Sequence, residues 1–424
     1  MVTVLDQPAR PLTDDVRDWL SLRADAPLDR WGVYARLRKE APSFAFGGQK
    51  FLSRHADCSA VLRDNRNFLS GFDIESPSYQ SMLAKLSDKK RIKYQEVLEH
   101  QLRWLNSSNG SKHVALRTLA TRVFSMRAIE DMRARVQREV DERLEELSSR
   151  DTIEIISDFA YQLPLTIISE MLDIPEEVRE SIHTSWQSMT QLIGNPPERV
   201  PHVIDEVHAG MAELESRLKH TFDLRRGQQT TDLLSRLLAA GEEAGGEITE
   251  REIMGIVAQM VIAGHQTTQD TIGNALLELF THRDQWDALK AEPDLVPNAV
   301  EEVLRYRTPG QMISRDARTD MEIGEHFFPA GTRVTCLLGS ANRDAEIFAD
   351  PDRFDIRREN ARQHLAFSQG VHFCLGASLS RLEVGIFLKT FSARFPNAHL
   401  AEQRTEWLPN SFLLGLKALH VRLR

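Results

Sequence analysis

Phe367-Ser-Gln-Gly370-Val-His372-Phe-Cys374-Leu-Gly376 places a lone cysteine in a glycine-flanked loop immediately before an apolar, helix-like stretch, Ala377 to Phe387. A cysteine at a helix N-terminus feels the positive end of the macrodipole, which favours the anionic sulfur over the thiol. Gly370 and Gly376 let the backbone bend sharply and bring amide hydrogens close to the sulfur, tuning its donation to a metal. Phe367 is placed to cover the sulfur from water. The loop suits an iron-binding thiolate. A cysteine taken alone reads as a small buried hydrophobe, so the weight falls on what accompanies it.

The 424 residues suffice for one large domain or two ordinary ones, with a core that can hold a cavity. Acidic residues outnumber basic ones, 62 to 53, and the net charge of -9 argues against a nucleic-acid surface. Cys58, Cys336 and Cys374 lie far apart in sequence without paired spacing. That argues against a disulfide framework or a zinc site and fits a reducing, cytoplasmic compartment. Met1 to Pro11 holds charges and two prolines rather than an apolar run, so neither signal peptide nor membrane anchor is expected.

Trp31 to Lys39 has helical spacing, and Ser43 to Ser53 is a glycine-interrupted aromatic stretch suited to a hairpin. From about residue 113 to 282 the pattern is almost wholly helical. Within it Thr249-x-x-Glu252 forms a capping box, and no proline follows for more than thirty residues. A helix to about Thr281 would approach 48 Å at about 1.5 Å per residue, with a middle apolar on nearly every side. Gly324, Pro329-Ala-Gly331 and Val334-Thr-Cys-Leu read as short strands and turns. No linker separates these segments, and one domain is expected.

On the long helix, Ala263-Gly264-His265-Gln266-Thr267-Thr268 puts a glycine and a threonine three residues apart, on about one face. Read alone, this is a close helix crossing with back-bonded hydroxyls. Glu302-Val-Leu-Arg305 sits on a helix ended by Thr308-Pro309, where i,i+3 spacing lets carboxylate and guanidinium meet.

Taken together these features resemble the cytochrome P450 family, the haem-thiolate monooxygenases. Its cysteine-loop pattern, Phe-x-x-Gly-x-His/Arg-x-Cys-x-Gly, is matched at every position. The resemblance covers roughly residues 30 to 420 and includes Ser340-Ala-Asn-Arg-Asp ahead of Pro351-x-x-Phe. It implies a mainly α fold with small β-sheets, one domain over 1–424 with residues 1–25 as an extension, and a long distal helix over haem b. Cys374 would be the iron ligand, in the loop of Phe367 and Gly376. Ala263 and Gly264 would form the oxygen groove, and Thr267 would take part in dioxygen activation. The acid usual before that threonine is Gln266 here, which cannot titrate near neutral pH. His113, Arg117, Arg315 and His372 would hold the haem propionates, and Glu302, Arg305 and Arg358 would brace the proximal core.

The expected activity is hydroxylation of a fairly large, mostly apolar or aromatic small molecule in secondary metabolism. Dioxygen is the co-substrate, and electrons come from a separate ferredoxin or flavodoxin with its NAD(P)H reductase. Oxidative aryl, C–C or C–N coupling is the nearest rival, and a non-catalytic haem sensor or carrier the next. Trp104, Trp186, Met189, Ile262, Met312, Ile313 and Phe412 are the expected substrate contacts. Between Tyr79 and Trp104 the chain departs from the family with a lysine- and glutamate-rich helical stretch, expected to roof the pocket or to lie as a solvated surface helix.

Overall fold

The computed structural model describes residues 10–21, 29–71, 79–80, 83–176, 178, 185, 188–189, 191–192, 199–225, 233–243 and 248–424. Nine helices carry the argument: α1 (Leu12–Ser21), α2 (Arg30–Glu40), α3 (Asp88–Leu102), α4 (Gly110–Val123), α5 (Gln162–Met171), α6 (Val200–Arg225), α7 (Glu250–Thr281), α8 (Val296–Tyr306) and α9 (Ala377–Arg394). α7 forms because its N-terminus is satisfied twice. Thr249 Oγ1 accepts from the Glu252 amide, and the Glu252 carboxylate accepts from the Thr249 amide at 2.8 Å. Glu250 and Glu252 also complement the positive helix end. From Ile253 onward it is buried on almost every side, packed against α5, α8 and α9.

The main apolar core runs continuously from Leu83 to Leu423, so distant parts of the chain share one interior. Among the described residues ten short strands lie at its margin: β1 (Ser43–Phe46), β2 (Gln49–Leu52), β3 (Phe68–Leu69), β4 (Thr152–Glu154), β5 (Met312–Ala317), β6 (Met321–Ile323), β7 (His326–Phe328), β8 (Arg333–Leu337), β9 (His399–Leu400) and β10 (His420–Arg422). The largest sheet has the order β1-β2-β8-β5-β3. The expected hairpin is present as β1 and β2, and β2 then pairs parallel with β8, Leu52 opposite Cys336. β4 interrupts the stretch expected to be helical, because it pairs with the C-terminal β10. Three residues are too few for a strand period to show in sequence. α1, within the expected extension, packs Val16 and Trp19 against Tyr34 and Leu37 of α2. Among the described residues no helix is long and apolar enough to cross a membrane.

α3 holds both expected characters at once. Tyr94, Val97, Leu98, His100 and Gln101 are buried, while its outer edge runs ion pairs onto α6: Lys93 to Asp205 at 2.5 Å, Glu96 to His208 at 2.6 Å and Arg103 to Glu215 at 3.3 Å. Leu105 and Asn106, just beyond it, reach the central cavity.

Candidate active site

Cys374 lies between two tight turns. Its amide donates to Phe367 O at 2.9 Å, closing the loop. Gly370 adopts a φ of 72°, and a Cβ there would stand 2.6 Å from Leu62 O, so glycine alone lets the loop settle against helix His55–Arg63. Gly376 differs from expectation. Its φ is -82° and a Cβ would meet nothing within 4 Å, so it is not a sharp bend; it lines the cavity and leaves that space open.

Cys374 borders the central cavity. Burial pushes its thiol up, against the lowering effect of the Gly376 and Ala377 amides and of the charges of Arg117 and Arg381. A coordinated metal ion reverses this, since it deprotonates a ligating thiol outright.

Two buried polar assemblies hold the loop. Arg381 forms a double hydrogen bond to Glu301 at 2.8 and 3.0 Å and stacks over Phe367, 4.5 Å from the ring centre. His364 Nε2 lies 3.0 Å from Glu301, and its Nδ1 accepts from the Ala366 amide, which leaves the proton on Nε2. Burial would raise the Glu301 carboxyl, but His364 and Arg381 hold it down at about 2. Beside it, Arg305 forks onto Glu302 at 2.7 and 2.8 Å, both side chains wholly buried, and Arg358 joins Glu302 at 3.2 Å. Arg305 also donates to the carbonyls of Asn342, Pro351 and Arg353. Glu301 and His364 escaped the sequence reading; an acid directly before Glu302 on a buried helix was their only signal.

Opposite the loop, Ala263, Gly264, Thr267 and Thr268 of α7 form one wall of the central cavity. A Cβ on Gly264 would touch Ile168 Cγ1 at 3.4 Å, so the glycine keeps the wall shallow beside the threonine. Thr267 Oγ1 donates to Ala263 O at 3.0 Å, the back-bond expected of a helical threonine, and so stands ready to accept from the cavity side. Gln266 is buried and absent from this wall. Its amide donates to Asp270 Oδ1, one turn on, at 2.7 Å.

Burial pushes the Asp270 carboxyl from 3.8 up to about 8, against the lowering effect of Gln266. A carboxyl raised on folding keeps its proton where the unfolded chain has lost it. Its contribution to stability is therefore largest below pH 3.8, declines as pH climbs and levels off above pH 8. Asp270→Asn, which keeps the Gln266 contact, is expected to remove this decline and raise stability at pH 8 by a few kcal/mol. Urea unfolding from pH 4 to 8 checks it; parallel pH profiles for the two proteins would contradict it.

The cytochrome P450 profile matches residues 80–418 of the chain. The chain belongs to the cytochrome P450 family. It is 34% identical over 419 residues to cytochrome P450 monooxygenase PikC of Streptomyces venezuelae, spanning 96% of this chain and 94% of that one. To the 6-deoxyerythronolide B hydroxylase of Saccharopolyspora erythraea it is 30% identical over 408 residues, 93% of this chain and 96% of that one. The crystal structure of P450BioI in complex with hexadec-9Z-enoic acid ligated acyl carrier protein superposes with a TM-score of 0.84 at 31% identity. It covers 93% of this chain and 98% of the other.

The cofactor of a cytochrome P450 is haem b, and the cavity fits it. His113 and His372 stand ring to ring at 4.2 Å, and burial, then the charges of Arg315, His113 and Arg117, push His372 down to about 3. His113 Nε2 and one terminal nitrogen of Arg315 are buried without a partner. Such crowding of donors and positive charge is costly unless anions complete it, and two propionates supply them. Among the described residues no cluster of three or more His, Cys, Asp or Glu could hold a metal ion by itself.

The expected substrate contacts fare less well. Trp104 and Ile262 are buried in the main core, and their neighbours Leu105 and Ala263 line the cavity instead. Met312 packs with the α1–α2 cluster, Ile313 with the sheet and Phe412 on the main core, and Met189 is fully buried. Trp186 lies outside the described residues. A helix turns about 100° per residue, so a placement one position off faces elsewhere. Gln259, Met260, Ile256 and Phe124 line the cavity and went unnoticed.

Proposed function

We propose that this cytochrome P450 hydroxylates a fairly large, mostly apolar or aromatic small molecule of secondary metabolism, with Cys374 the iron's only protein ligand. The carrying observation is the cavity itself, with Cys374 on one side, the Gly264–Thr267 face on the other, and Leu105, Phe124, Ile168, Ile256 and Met260 between. Haem held there supplies reduction of dioxygen and transfer of one oxygen atom to the substrate. The chain's residues do the rest. His113, Arg117, Arg315 and His372 bind the propionates, and Phe367, clamped beneath Arg381, keeps water from the sulfur. The apolar side chains orient the substrate, while Asn106 and Gln259 offer neutral hydrogen bonds. Thr267 Oγ1, tied to Ala263 O, would offer its hydroxyl oxygen as an acceptor on the cavity side, where dioxygen chemistry takes place. Gln266 holds Asp270, one turn on along α7. Relatives named for 6-deoxyerythronolide B and hexadec-9Z-enoic acid support a large apolar substrate.

Electrons would come from a separate ferredoxin or flavodoxin and its NAD(P)H reductase, in the cytoplasm. Of the arginines near the cysteine loop, Arg122 and Arg127 are exposed and could meet such a partner, whereas Arg117 faces the cavity and Arg381 is engaged with Glu301.

Compounds that shift the haem spectrum would be turned over under labelled dioxygen. Label in the product supports hydroxylation, and an unlabelled coupled product the rival. Thr267→Ala is expected to divert electrons into hydrogen peroxide, raising its share several-fold with haem content unchanged. An unaltered share would remove Thr267 from the reaction.

A further inference from the structure

From Ile253 to Ile262, α7 carries no polar side chain except Gln259. Its neighbours Ala258 and Met260 are buried, and a helix face packed into an apolar interior needs no carboxamide. Gln259 is only half-buried because it faces the cavity, in the row Ile256, Gln259, Ala263, Thr267, which runs along one helix face in steps of three or four residues. Eight residues at about 1.5 Å each put it about 12 Å from Thr267 along the helix axis. Among the described residues no group hydrogen-bonds its side chain.

Asn106 is the other carboxamide among the described residues of the cavity lining. Its short turn, Leu105–Ser107, packs on α7. The close approach is made at Gly255, where a Cβ would stand 2.8 Å from Arg103 Cβ and 2.9 Å from Arg103 O. The segment carrying Asn106 therefore meets α7 one turn before Gln259, at the end of the cavity away from the threonine wall. The Asn106 side chain is engaged only at Oδ1, by the Ser107 hydroxyl at 3.5 Å, and its amide nitrogen is uncommitted.

We infer that Gln259, seconded by Asn106, is the specificity anchor of this enzyme and holds a hydroxyl or carbonyl of the substrate about 12 Å from the threonine wall. The inference rests on the proposed placing of substrate between Cys374 and α7. A carboxamide both donates and accepts, so it pairs with either group, and being neutral it gives a buried charge no compensation. A wholly apolar molecule filling the cavity would strip water from Gln259 and return nothing, so the site selects against it. The substrate class is thus an apolar molecule bearing a neutral hydroxyl, ketone or ester remote from the carbon that is oxidised. Held at one end, such a molecule presents a fixed carbon to the reacting end, and Gln259 sets the position of oxidation.

Imidazoles bearing an unbranched tail on one ring nitrogen test this, because the other nitrogen ligates haem iron and the tail runs into the cavity. Two series of increasing tail length, ending in methyl or in hydroxyl, are titrated by haem spectral shift against the haem-loaded protein. The affinity ratio of hydroxyl to methyl should peak at one tail length, about 2- to 10-fold above its value for shorter tails, the gain of one hydrogen bond. Gln259→Leu should flatten the peak. Gln259→Asn, whose carboxamide is drawn back by one methylene, should move it to a longer tail, which a purely structural role would not do. A wild-type ratio without a peak at any length overturns the inference, and it decides alone should Gln259→Leu fold poorly. A peak that survives Gln259→Leu overturns it too. Ligation without a peak removes Gln259 and leaves the proposed haem site standing; if no imidazole shifts the haem spectrum, both fall.

Discussion

Cys374→Ser is expected to abolish the strongly red-shifted Soret band of the reduced carbonyl complex, while Cys58→Ser and Cys336→Ser retain it. The band reports thiolate ligation, and Cys374 is the one cysteine bordering the cavity. A serine hydroxyl in the same loop lacks the soft, polarisable sulfur whose electron donation favours O–O cleavage. Cys58 and Cys336, far apart in sequence, are neighbours inside the sheet-side core, both fully buried free thiols. Their environment is closed to the cavity, so serine there costs packing and leaves the iron untouched. Persistence of the band in Cys374→Ser would refute the assignment of the ligand and with it the proposed site.

Glu302→Ala should be the most destabilising single change in the proximal core, costing about 3–5 kcal/mol in urea unfolding. The substitution leaves Arg305, wholly buried, without its carboxylate and releases the Arg358 contact as well. Arg305 would keep its three backbone carbonyls, which are neutral and cannot balance a guanidinium. Since domains are stable by only about 5–15 kcal/mol, a loss of this size should also deplete bound haem during expression. Arg358→Ala is expected to cost less, about 1–3 kcal/mol, because its remaining donors reach backbone carbonyls near the surface. A Glu302→Ala loss below about 1 kcal/mol would show that the triad is dispensable.

What the sequence by itself determined is local and contiguous. The cysteine loop was legible because its chemistry needs Phe, Gly, His, Cys and Gly at fixed offsets, and the turn at Gly370 depends on backbone geometry that only glycine adopts there. α7 was legible because a capping box and an unbroken apolar run are both written within one segment. The Glu302–Arg305 pair follows from helical spacing, and Arg358 was found through the order of motifs.

Only the tertiary structure decided which faces meet. Periodicity states that a helix has a face and is silent on its neighbour, so the contact of Gln266 with Asp270 shows only in the fold. Ile262 faces the core while its neighbour Ala263 lines the cavity, for the same reason. Burial depth, too, is a property of the assembled fold. It pushes the acid groups of Cys374, Asp270 and Glu383 up together. Desolvation acts through every element packed around a group, and those elements come from parts of the chain hundreds of residues apart.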